Sequence, residues 1–264
     1  VKIDKVILST NDNPLYYKFW PYVAKAWERI GIKPILFFIG DTIPEDIENN
    51  VYSGGEIIQI SPLEDISTAF QSQVIRLVSP SMFPNDIIII SDIDDMPLSE
   101  KYFQNNIKDI EDDKFVSYRP FAADEGRGGM PGPNELAMCW NVAKGKVWGD
   151  IFKTSVDIND SMELIKSWYP DDYQTYKNGW TTDQVILRKY VDEWELKTNK
   201  VVRLNDAETG FFRLDREVNN TPFHTWKFIK EWADKDLYSD YHLHRPLDEY
   251  IKGMKPIFKC YGIL

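Results

Sequence analysis

Three carboxylates follow four isoleucines. Residues 87–97 read IIIISDIDDMP, which places Asp92, Asp94 and Asp95 at the end of a β-branched run. Asp92 and Asp94, two apart, offer hard oxygen donors suited to Mg²⁺ or Mn²⁺, and such an ion can bridge a nucleotide's phosphates. Like charges this close repel unless a cation or donor groups compensate them, so something positive is expected beside them. A second polar stripe lies near the other end of the chain. In an extended segment Asp240, His242 and His244 share one face while Tyr241 and Leu243 take the other, and Arg245 follows at once. The chain has 3 histidines, so two of them fall in this one stripe. A structural histidine pair bonded to Asp240 is the plainer alternative.

The elements that must position these groups alternate. An apolar run without polar alternation, such as Ile87 to Ile90, is what a strand covered on both faces looks like. In open α/β sheets, ligands bind at the carboxyl ends of such strands. KVILST (5–10), KPILFFIGD (33–41) and EIIQIS (56–61) read as further strands. Helical spacing covers Pro14 to Ile30, closed by Gly31, and about Ser67 to Val78, ended by Pro80. Strands separated by helices of this length predict an α/β fold with a central, mostly parallel sheet flanked by helices. In the second half KFVSYRP (114–120) and ELAMCWNVAKG (135–145) flank a Gly/Pro-rich loop at 126–133. Helices are expected near 149–155, 160–168 and 182–195.

Composition removes several classes. At 264 residues and 43% hydrophobic, the chain suits one large domain over 1–264, with no spacer, low-complexity tract or repeat. A net charge of −11 argues against nucleic-acid binding, which needs a basic footprint. Cys139 and Cys260 form neither a metal-ligand spacing nor a disulfide framework and read as buried thiols. No apolar stretch approaches the roughly 20 residues that span a bilayer. No signal peptide is visible, and the cytoplasm is the favoured compartment. The chain begins with Val, which leaves room for a trimmed anchor or signal. Neither GxGxxG nor GxxxxGK[ST] is present, so a diphosphate must be held otherwise, and Asp92 and Asp94 with a metal can do so.

On the strand–DxD unit IIIISDIDD, the loop STND (9–12), WTTDQVIL (180–187) and DYHLHRP (240–246), the sequence resembles the GT-A family of nucleotide-sugar glycosyltransferases. The resemblance covers most of the chain as an ordered series of landmarks. It implies a Rossmann-like domain whose residues 1–97 bind the nucleotide and whose residues 98–264 bind the acceptor and carry a late metal and phosphate segment. It further implies a hexosyl- or pentosyltransferase moving sugar from a nucleoside-diphosphate donor to a hydroxyl acceptor, a glycan or glycoconjugate, with Mn²⁺ or Mg²⁺.

Residue by residue, the resemblance gives Asp92 and Asp94 contact with the metal and the ribose, with Ile93 between them in the nucleotide contact. Thr10, Asn11 and Asp12 meet the base, although Asx-turn chemistry before Pro14 explains them as well. One of His242 and His244 is the third protein ligand. The family's HxxGxxKPW is absent, so which one stays open. Arg245 clamps the phosphates. Gln73 and Arg76, three apart on one helix face, suit a base or ribose contact and a phosphate or carboxylate contact. Arg76 paired to a nearby acid is the alternative. Asp183, at an expected helix start, either caps that helix or meets sugar hydroxyls, or is the general base of an inverting reaction. Asp124 and Glu125 are rival bases. Trp140 and Asn141 are expected to line the pocket, with Trp140, Trp148, Trp168 or Trp180 stacking on a sugar.

Other classes fit less well. A sugar nucleotidyltransferase would open with a Gly-rich loop and a basic residue where STNDNP stands. A haloacid-dehalogenase-type phosphatase would carry its Asp-x-Asp near the N-terminus, followed by Thr or Val, where Asp95 stands here. A lectin is usually all-β. A non-enzymatic or inactive sugar- or nucleotide-binding protein remains the alternative from a different class.

Overall fold

Val6, Ile7 and Leu8 are wholly buried in the first strand, β1 (Lys5–Asn11), as an unbroken apolar run on an inner parallel strand requires. The computed structural model describes residues 1–48, 54–120, 134–174, 179–216 and 226–264. The spacing after β1 predicts one helix over 14–30, and the chain forms two, α1 (Pro14–Tyr17) and α2 (Trp20–Arg29). Pro21 has no N–H to give the carbonyl of Tyr17, so it fits only a first turn and the helix restarts at Trp20. Gly31, at φ +76°, closes α2 as expected.

The alternating run continues through β2 (Lys33–Ile39), α3 (Glu45–Glu48), β3 (Glu56–Ile60), α4 (Thr68–Val78) and β4 (Ile87–Ile90). α4 gives way at Ser79 to one 3-10 turn containing Pro80. After β4 come β5 (Asp95–Pro97), β6 (Phe115–Ser117), β7 (Asn141–Lys144), α5 (Gly145–Phe152), α6 (Met162–Ser167) and α7 (Thr182–Thr198). The chain ends with β8 (Val201–Arg203), α8 (Asp206–Thr209), β9 (Phe212–Leu214), α9 (Trp226–Asp234), β10 (Tyr238–His242) and α10 (Leu247–Cys260). α5 begins four residues before the expected 149, at a glycine whose added Cβ would stand 2.1 Å from the carbonyl oxygen of Phe83. Among the described residues no helix is long and apolar enough to cross a membrane.

The large sheet has seven strands in the order β3-β2-β1-β4-β7-β6-β8, parallel except that β7 runs against β4 and β6. This is the predicted mostly parallel α/β architecture. Ile87 and Ile89 pack into one core with α2 and α10, and Ile88 and Ile90 into the other with α4, α5 and α7. The isoleucine run is therefore covered on both faces. β2 and β4 flank β1 on opposite sides, so the strand order reverses there, and the carboxyl ends of strands at such a point are where open α/β sheets bind ligands. A small second sheet, β5-β10-β9, begins with Asp95 of the DxD segment and carries the late polar stripe.

Candidate active site

The three carboxylates after β4 do not share a fate: each meets its own arginine. Asp92 Oδ1 accepts from Arg76 Nη1 at 2.5 Å. Asp94 Oδ2 lies 3.3 Å from Arg245 Nε, 3.4 Å from Arg216 Nη1 and 3.5 Å from His242 Nε2. Asp95 opens β5, lies opposite His242 in the antiparallel pair with β10, and is ion-paired to Arg213. The expectation of positive charge is met by four arginines and a histidine. Burial alone would raise the Asp94 carboxyl, but His242, Arg245 and Arg216 outweigh it and hold the group well below the usual carboxylate range. Asp95, 1% exposed, is pushed up to about 6 by burial, against Arg213 and His242 and with Asp240 and Asp92 adding to the rise.

Arg76 reaches this centre from the last turn of α4. Its Nη2 donates to Asp183 Oδ2 at 3.0 Å and its Nη1 also donates to the carbonyl of Ser91, so one buried guanidinium ties the DxD segment to the start of α7. Burial pushes the Asp183 carboxyl up to about 7, Arg76 pulling against it and Asp92 adding to the rise. Asp183 also accepts from the backbone N–H of Gln184, as an acid in a first helical turn does. Gln73 bonds neither acid. Its Nε2 donates to the carbonyls of Gly179 and Trp180, and its Oε1 accepts from Tyr173, which fastens the approach to α7 onto α4.

Around β1, Asn11 Nδ2 donates to Thr68 and its Oδ1 accepts from the N–H of Asn13, while Asn13 caps α1. The Asx-turn chemistry is thus present. Thr10 is buried, Asp12 is exposed, and Ile93 packs in the core at 5% exposed. Of the two tail histidines, His242 meets Asp94, whereas His244 stacks on Tyr250 with ring centroids 4.9 Å apart. Asp240 pairs instead with Arg119 and Arg213. Trp140 and Trp148 are fully buried, with indole N–H groups donating to Ser91 Oγ and to the carbonyl of Ile88, so neither ring can stack on a ligand. Asn141 is likewise buried and bonded to Ala137. Trp168 packs edge-on to Phe152 and Tyr190. Trp180 is 42% exposed and, with Tyr16, flanks the Arg245 guanidinium, whose Nη1 donates to Tyr16 Oη. Asp124 and Glu125 lie outside the described residues.

Sequence reasoning missed Arg213, Asp215 and Arg216. They stand in and just after β9, whose alternation of Phe212, Arg213 and Leu214 is too short to register as a strand, and single charged residues in such a stretch give no signal before the fold is known.

The chemistry of the donor set tests a divalent ion. Asp94 Oδ2 and His242 Nε2 stand 3.5 Å apart. Neighbouring ligands of an octahedral ion bound at about 2.1 Å are separated by about 3.0 Å, so a small movement lets both hold one ion. Asp92 Oδ2 takes no hydrogen bond among the described residues. A tighter group, Asp92, Asp95 and Cys139, keeps its ligand atoms within 4.8 Å of one another. Burial pushes the Cys139 thiol up to about 12 and Arg213 occupies Asp95, so that group offers a hard ion little. Asp94 and His242 stand close enough to share a divalent ion.

The fold has counterparts among solved structures. The chain matches the galactosyltransferase LgtC, solved with donor and acceptor sugar analogs, at a TM-score of 0.53 and 16% identity, over 98% of this chain and 96% of that one. It matches the glycosyltransferase GlyE of Streptococcus pneumoniae TIGR4 at 0.49 and 13%, over 100% of this chain and 62% of that one. A glucosyl-3-phosphoglycerate synthase from Mycobacterium tuberculosis, solved with Mg²⁺ and uridine-diphosphate, follows at 0.42 and 12%, over 100% and 80%. No protein-family model matches the chain, and no curated protein matches it in sequence. The likeness to LgtC is one of fold: the chain has the GT-A fold of the glycosyltransferases.

Proposed function

We propose that this chain is a metal-dependent glycosyltransferase that moves a sugar from a nucleoside-diphosphate donor to a hydroxyl acceptor on a glycan or glycoconjugate. The observation that carries the reading is the convergence of His242, Arg216 and Arg245 on one oxygen of Asp94, just past the carboxyl end of β4. Asp92, Asp94 and His242 would hold Mn²⁺ or Mg²⁺, which when bound neutralises charge on the departing diphosphate. Arg245 adds a guanidinium for the phosphates, and its flanking by Tyr16 and Trp180 fixes where that charge points. Asp183, held by Arg76, takes hydrogen bonds from sugar hydroxyls or removes the acceptor's proton in an inverting reaction; a carboxyl near pH 7 suits a base. Rate enhancement would come from juxtaposing donor and acceptor and from stabilising the leaving charge.

The test is thermal stability against UDP, GDP, CDP and TDP, each with and without Mn²⁺, since a ligand of the native state raises the melting temperature by mass action. A rise with one diphosphate that requires the metal is expected. No rise with any of them would overturn the donor site. A rise without sugar transfer to any hydroxyl acceptor would point to a binding protein.

A further inference from the structure

β9 runs parallel to β10 with Leu214 opposite Tyr241, so the two residues that leave β9, Asp215 and Arg216, come out beside His242 and Leu243. Asp215 Oδ2 lies 3.6 Å from His242 Nδ1, while His242 Nε2 faces Asp94 at 3.5 Å. The imidazole is strung between two carboxylates, one on each nitrogen. Where an imidazole binds a metal, its other ring nitrogen ordinarily donates to a carboxylate, which fixes the tautomer and the ring plane. Asp215 is a carboxylate on that side of the ring, at 3.6 Å still short of a hydrogen bond to the otherwise unpartnered Nδ1.

Arg216 Nη1 is 3.4 Å from Asp94 Oδ2 and 3.4 Å from the carbonyl oxygen of Leu243. Arg245 Nε already stands 3.3 Å from the same carboxylate oxygen. Two guanidiniums thus share one carboxylate oxygen, and neither pairs with it bidentately. The Arg216 side chain is 24% exposed, so its remaining N–H groups can reach a ligand. Guanidinium forks of this kind suit phosphate oxygens.

We propose that the Asp215–Arg216 dipeptide belongs to the donor site, resting on the reading above: Asp215 is a positioning residue that presents His242 Nε2 to the metal, and Arg216 is a second guanidinium for the diphosphate beside Arg245. The two neighbours then have separable jobs, one on the ion and one on the anion.

Titration calorimetry of the whole chain with Mn²⁺ alone, and then with the Mn²⁺–pyrophosphate complex, separates them. Pyrophosphate stands in for the diphosphate without a choice of base. D215N is expected to weaken Mn²⁺ binding about 10–100-fold, with partial recovery in D215E. R216Q is expected to leave Mn²⁺ binding alone within about twofold and to weaken the pyrophosphate complex about tenfold or more, R216K falling between. D215N that binds Mn²⁺ like wild type, in a protein where D94N has lost it, overturns the role of Asp215 and leaves the metal site standing. R216Q that binds the pyrophosphate complex like wild type overturns the role of Arg216. A wild-type chain that binds neither probe overturns the donor-site reading and this inference with it. Melting temperatures recorded for each variant show whether the comparison is between folded proteins, and the conservative pair D215E and R216K serves where a first variant does not fold.

Discussion

Arg76 and Asp183 meet at 3.0 Å, 107 residues apart in sequence, with both side chains closed to solvent. The same guanidinium holds Asp92, so it sets the distance between the DxD segment and the first turn of α7. Removing one partner of a buried pair strands the other, at a cost of about 3–5 kcal/mol. R76M is therefore expected to lower stability by about that amount in urea denaturation, and R76M combined with D183N to recover part of it. Losses of R76M and D183N that simply add in the double variant would show that the pair is not coupled.

Asp183 makes stability and activity depend on pH in opposite senses. Its carboxyl titrates at about 7 in the folded chain against 3.8 as the ordinary value. Between those values the folded state holds a proton that the unfolded state has released, so this group's contribution to stability falls as pH rises from about 4 to 7 and is flat above. D183N removes the titration. The wild type should lose stability relative to D183N between pH 5 and 7.5, read from melting temperatures in matched buffers. Sugar transfer by the wild type should rise through the same window if the ionised form is the base. A D183N variant that turns over normally would take Asp183 off the reaction path.

How much of this was legible beforehand depended on pattern. The isoleucine run, the βα alternation and the placement of Asp92 at a strand end follow from periodicity, which local sequence records. The helix over 14–30 broke because one proline outweighs a continuous apolar stripe. Arg76 was found by its spacing, but its partner Asp183 is a contact between distant segments, so the sequence left phosphate and carboxylate equally open. Trp140 and Trp148 misled because an aromatic suits a sugar platform and a core equally, and only burial decides between them. Asp215 and Arg216 carried no signal, since their meaning comes wholly from β9 lying beside β10.

The two tail histidines are expected to separate. His242 faces Asp94 and Asp215, while His244 is stacked on Tyr250. H242A should weaken Mn²⁺ binding at least tenfold, because it removes a ligand, whereas H244A should bind within about twofold of wild type. Competition against the Mn²⁺ electron-paramagnetic-resonance signal reads both without any sugar donor. Equal weakening in the two variants would mean that the tail stripe acts as a unit.

Asp94 and Asp95 are neighbours with opposite duties, and they give the clearest contrast. Asp95 is fixed by Arg213, which also lies 3.1 Å from Asp240, so the small sheet is held together by a buried chain of charges that continues to Arg119. Taking away one carboxylate leaves Arg213, whose side chain is 23% exposed, paired with Asp240 alone. D95A should cost about 2–3 kcal/mol of stability while the Mn²⁺ affinity of the folded fraction falls only a few-fold. Asp94 has a surplus of cations instead of a shortage. D94A relieves no buried arginine of its sole partner, since Arg216 also reaches the carbonyl of Leu243 and Arg245 is also bonded to Tyr16. Its stability loss should stay below about 2 kcal/mol while Mn²⁺ and nucleotide binding disappear. Urea denaturation and Mn²⁺ titration on the same two variants decide it. If D94A proves the less stable and D95A the weaker binder, the carboxylates have been assigned the wrong way round, and the ion belongs with Asp92, Asp95 and Cys139.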